Sequence, residues 1–101
     1  MTTKEKRTIQ ARTSKAWETL LTTKLSELHK AQAYGVGYEK ACDMVDNLQS
    51  VREARCKWFV LAELCHELGV GYDTTQKSSD ARSNFYWLAT KGLNYQNDGK
   101  L

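Results

Sequence analysis

A chain of 101 residues builds one domain with a small core. It has no proline, three cysteines, a net charge of +3, 41% hydrophobic residues and 27% charged ones. That balance argues against a disordered chain, and no apolar run approaches the ~18 residues of a spanning helix.

The odd cysteine count, without framework spacing, fits free thiols in a reducing, cytoplasmic setting. The N-terminus lacks the apolar core of a signal peptide. Charge is unevenly spread. Residues 1–33 carry seven Lys or Arg against three acids, residues 34–72 four against six, and residues 73–101 four against three. The basic character therefore sits in the first third, above all in Lys4, Lys6, Arg7, Arg12 and Lys15. These are the candidates for phosphate or acidic-surface contacts.

Residues 1–7 are polar and basic and are expected to form a flexible N-terminus. From Thr8 a helical period begins: Ala16, Trp17, Leu20, Leu21, Leu25, Leu28 and Ala31 recur at spacings of three and four, which draws one apolar stripe. Ser14 is a candidate cap for an inner start. The pattern stops at Tyr34-Gly35. A second segment, Tyr38 to Leu68, contains neither glycine nor proline. Ala41, Val45, Leu48, Val51, Ala54, Trp58, Leu61, Cys65 and Leu68 keep the helical spacing throughout. It predicts a long middle helix, continuous or gently kinked, although Ser50-Val51-Arg52-Glu53 has the form of a capping box. After Tyr72, the runs Asp73-Thr74-Thr75-Gln76 and Ser78-Ser79-Asp80 offer starts for a last helix carrying Ala81, Phe85 and Leu88 and ending near Gly92. The expected fold is all-α: a small three-helix bundle spanning residues 8–93, followed by a flexible tail over 94–101.

The tetrapeptide Gly-Val-Gly-Tyr occurs at 35–38 and again at 69–72. It lacks a third glycine and a preceding strand, so it is no dinucleotide fingerprint. Its best use is between helices. The first glycine ends one helix in the left-handed region and the second admits the next, with Tyr38 and Tyr72 at equivalent helix starts. A second similarity joins Glu53-Ala54-Arg55-Cys56-Lys57-Trp58-Phe59-Val60-Leu61-Ala62 to Asp80-Ala81-Arg82-Ser83-Asn84-Phe85-Tyr86-Trp87-Leu88-Ala89. Both place an arginine four residues before an aromatic, Arg55 before Phe59 and Arg82 before Tyr86, on one helix face. Consecutive aromatics spread round a helix farther than one buried stripe reaches. Arg55, Phe59, Arg82, Tyr86 and Trp87 are therefore the candidate partner-binding residues, of types enriched at binding hot spots.

Little else suggests chemistry. Cys42, Cys56, Cys65, His29 and His66 have no local metal-clamp spacing. Glu63 and His66 form a single Glu-x-x-His, where helical di-iron sites use two. No nucleophile elbow is present, and Cys65 beside His66 is adjacency, not activation. No enzyme, cofactor or metal is expected. The leading expectation is a small binding module that modulates or inhibits another protein, as a phage- or plasmid-type accessory protein does with a host factor. Self-association as a homodimer is a variant. The alternative is a nucleic-acid-binding or transcription-regulatory protein that uses the basic N-terminal third.

Overall fold

The structure, a computed structural model, describes residues 2–74. Three helices fill them: α1 (Thr3–Ala33), α2 (Tyr38–Asp46) and α3 (Gln49–Leu68). None of the described residues lies in a strand, so the all-α bundle expected from the periodicity is correct. The three helices are nevertheless counted differently. The expected middle helix is two helices, and the expected last helix and tail fall outside the described residues. No described helix is long and apolar enough to cross a membrane.

Helix α1 begins five residues before the expected start. Thr2 Oγ1 accepts the Glu5 backbone N–H at 3.2 Å, a side-chain cap that satisfies one of the free donors of the first turn. Lys4, Lys6 and Arg7 are therefore helical, not part of a loose arm. Ser14 lies inside α1 and starts nothing.

The division of Tyr38–Leu68 needs neither glycine nor proline. Asn47 and Leu48 turn the chain, and Leu48 is extended (φ −69°, ψ 143°). In an unbroken helix the Asp46 carbonyl would accept from the N–H four residues on. Here it accepts from Arg55 Nη2 at 3.0 Å. The Asn47 amide folds back onto the Asp43 carbonyl at 2.9 Å, where a helix would place the Asn47 backbone N–H. Ser50 sits in the first turn of α3 without capping it.

The two Gly-Val-Gly-Tyr copies explain themselves in their hydrogen bonds. Gly35 (φ +85°) and Gly69 (φ +68°) both occupy the left-handed region, which a Cβ disfavours. The Gly35 N–H reaches the Gln32 carbonyl and Val36 N–H the Ala31 carbonyl, at 2.9 and 3.2 Å. At the second copy Gly69 reaches His66 and Val70 reaches Cys65, at 3.1 and 3.0 Å. Both are the same Schellman ending, five and three residues back. The copies diverge afterwards. Gly37 precedes α2 and its carbonyl accepts from Ala41 at 2.8 Å, whereas residues 71–74 are not helical. Tyr72 is thus not at a helix start. Its hydroxyl instead accepts the Trp58 indole N–H at 3.0 Å.

The core joins all three helices. Trp17, Leu20, Leu21 and Leu28 of α1 pack with Ala41, Cys42 and Val45 of α2 and with Val51, Ala54, Trp58 and Phe59 of α3. Trp17 and Trp58 meet at 5.0 Å between ring centroids, tilted by 50°, a geometry aromatic pairs favour. The segment after α3 is pinned across α1: Gln10 donates to the Gly71 carbonyl at 2.7 Å, and the Asp73 N–H donates to Ser14 Oγ at 2.8 Å. Helix α1 packs chiefly against α3, and α2 packs mainly against α1.

Candidate functional site

Arg55 and Phe59, expected on a stripe neighbouring the buried one, are both inside, at 3% and 5% exposure. Phe59 stacks edge-on against Trp58 at 6.5 Å. Arg55 is drawn in by Asp46, whose backbone carbonyl it bonds and whose carboxylate lies 4.0 Å from Nη2. The same carboxylate faces Lys24 of α1, with Nζ 3.0 Å from Oδ1. Lys24 and Asp46 are also buried. The cluster therefore ties one charged group from each helix into one knot. A buried charge is tolerated only beside such partners. Burial holds the Lys24 ammonium below its ordinary pKa, an effect that Asp46 only partly offsets. Sequence reasoning missed this cluster because a lysine or aspartate at the margin of an apolar stripe reads as a solvated residue.

A second internal polar contact joins α1 to α3. Thr13 is buried; its hydroxyl donates to the Ile9 carbonyl at 2.7 Å and lies 3.1 Å from Cys65 Sγ. Burial and the neighbouring Tyr38 act oppositely on Cys42, and burial wins, raising its pKa. Three or more His, Cys, Asp and Glu side chains do not converge anywhere among the described residues. Arg82, Tyr86 and Trp87 lie outside the described residues.

Among the described residues, an outward groove of about 680 Å³ lies between α1 and α3, within the ~300–1,000 Å³ typical of ligand-sized clefts. Its apolar lining comes from Ala16 of α1 and from Ala54, Cys56, Val60 and Leu61 of α3. Small residues at Ala16 and Ala54 keep the floor low. Val60 stands on α3 away from the buried stripe and is 63% exposed. The charged residues on the rim are Arg12 and Lys15 from α1 and Lys57 from α3, with no acid among the lining residues. All three are exposed. A shallower hollow of about 280 Å³, lined by Lys15, Glu18, Thr19, Thr22 and Thr23, continues along α1.

The five basic residues expected to contact phosphate or acidic surfaces thus divide. At 100° per residue Lys4, Arg12 and Lys15 fall within about 80° of one another on α1, while Lys6 lies on the other side. Lys6 is half-buried and Arg7 is exposed. Arg12 and Lys15 meet Lys57, which sequence reasoning did not single out. The usable signal was Val60, an apolar residue outside the period that Ala54, Trp58, Leu61 and Cys65 define, next to a lysine on the same flank. No family model matches the chain, and neither a curated protein nor a solved structure does.

Proposed function

We propose that this protein is a non-enzymatic protein-binding module that modulates or inhibits its partner, and that the α1–α3 groove is its docking surface. The observation that supports the reading is an apolar trough left open beside a closed core and edged by cations alone. Open apolar surface of this kind is what protein partners bury, while charged rims steer the encounter. Occupying or recruiting a partner needs no acid, base or nucleophile. In this reading the binding surface is Arg12, Lys15, Lys57, Val60 and their neighbours, since Arg55 and Phe59 are buried.

The alternative, nucleic-acid binding, draws on Lys4, Arg12 and Lys15 along one face of α1. Phosphate recognition would use those charges but leave the trough's apolar wall unexplained. The distinguishing experiment compares proteins that co-purify with the wild type and with Val60→Asp, each with and without nuclease. A partner that survives nuclease and is lost with Val60→Asp supports the protein-binding reading. A partner that nuclease removes and Val60→Asp leaves in place contradicts it.

A further inference from the structure

We infer that the groove takes an acidic amphipathic helix of the partner, its apolar side chains over Ala16, Val60 and Leu61 and its carboxylates against Arg12, Lys15 and Lys57. This rests on the protein-binding reading above and adds the chemistry of the partner. Three cations line one apolar trough with no acid among them. Like charges gathered round one trough favour a ligand that brings negative charge, and the low-polarity wall strengthens that preference. The apolar wall then requires the same ligand to carry aliphatic or aromatic side chains on one side. An amphipathic helix presents both, with anchors at i, i+3, i+4 and i+7.

The dimensions fit. From Arg12 to Thr23 the groove and its shallower continuation follow α1 for about 16 Å, or three helical turns. The shallow end, lined by Lys15, Glu18, Thr19, Thr22 and Thr23, suits polar side chains where the docked helix leaves the apolar trough, and Glu18 sets the point beyond which the docked helix carries no further carboxylates. Small floor residues, Ala16 and Ala54, accept bulky knobs from a helix laid along them.

Two other occupants match the charge poorly. Residues 75–101 of this chain carry four basic residues and two acids, a net positive charge that a positive rim would repel. A second copy seated groove to groove about a two-fold axis would bring Arg12, Lys15 and Lys57 against themselves.

The test is fluorescence anisotropy with a designed, fluorescein-labelled helical peptide of about four turns, leucines along one face and glutamates along the flanks. Its companions are the same peptide with lysines replacing the glutamates, a scrambled peptide of the first composition, and a short single-stranded oligonucleotide. The acidic peptide should bind the full chain best. The double variant K15E/K57E should weaken it by about tenfold or more and reverse the preference toward the lysine peptide. Val60→Asp should weaken the acidic peptide by a similar factor while circular dichroism reports an unchanged melting curve.

Equal binding of the scrambled peptide, or tighter binding of the oligonucleotide, overturns the inference. So does a concentration-dependent dimer by size exclusion that Val60→Asp dissolves, since a second copy then fills the groove. If the lysine peptide binds the wild type better and Val60→Asp abolishes that binding, the acidic chemistry is wrong but the docking surface stands. If no peptide binds and Val60→Asp leaves the co-purifying partner in place, the docking surface itself is refuted.

Discussion

At the scale of single residues, the decisive side chain is Asp46. It faces Lys24 from α1 and Arg55 from α3, and both cations are buried with it. Removing its charge leaves two cations without their shared counter-charge. Breaking a buried ion pair from one side costs about 3–5 kcal/mol, so Asp46→Asn should lower unfolding stability by that order in urea melts. Lys24→Met should cost less, because Asp46 keeps Arg55 and methionine fills much of the lysine stem. Equal losses for the two variants would show that the knot has no centre. The lysine also sets a pH signature. Its pKa is depressed below 10.5 in the fold, chiefly by burial. The unfolded chain therefore holds this proton more tightly, and the lysine's contribution to stability improves as pH rises from the depressed value to 10.5. Burial raises Cys42 and Tyr72 instead, so they lose stability as pH climbs past 9.0 and 10.0. The difference between wild type and Lys24→Met isolates the lysine: the wild type should gain on the variant as pH rises toward 10.5. A difference that stays flat would place the Lys24 ammonium in a water-like environment.

At the scale of elements, the repeated tetrapeptide is a repeated helix ending. Only its first glycine has positive φ in each copy. Gly35→Ala and Gly69→Ala should each cost about 1–2 kcal/mol, the penalty of a Cβ in the left-handed region. A Cβ at Gly37 or Gly71 would meet nothing within 4 Å, so alanine there should change stability by under about 1 kcal/mol, with loss of chain entropy in the unfolded state favouring it. Equal thermal shifts at all four positions would contradict the Schellman assignment. Much of this level was legible in the sequence. The spacing of Trp17, Leu20, Leu21 and Leu28 marked the buried face of α1, and Gly35 and Gly69 marked two helix ends. The break at Asn47-Leu48 was legible only as the capping-box form of Ser50–Glu53, which points two residues beyond the actual cap at Leu48. It depends on Arg55, nine residues along, replacing a helical N–H at the Asp46 carbonyl, and local propensity carries no trace of that tertiary contact. The cap by Thr2 was readable as a Thr-x-x-Glu pattern, yet the polarity of residues 1–7 pointed to a loose end.

At the scale of the whole molecule, the buried face of α3 is wider than the expected stripe: Val51, Ala54, Trp58 and Cys65 are buried as their spacing implies, and Arg55 and Phe59 join them. Arg55 and Phe59 looked like anchors because arginine and aromatics favour interfaces, but a buried carboxylate and a tryptophan claim them. Lys57 and Val60 form the outward surface with Arg12 and Lys15. Binding and folding therefore use separate residues. Val60→Asp should change the midpoint of unfolding by less than about 1 kcal/mol equivalent, as exposed substitutions do, while removing the partner. Loss of stability and loss of binding together would make Val60 a core residue in solution. The most direct measurement of the docking surface is a nitrogen-15 amide shift titration of the full chain with the acidic helical peptide. The largest changes should fall on Arg12–Thr19 of α1 and Ala54–Leu61 of α3, leaving α2 unmoved. Changes centred on residues 3–8, or on α2 and the first glycine turn, would contradict a groove-bound partner.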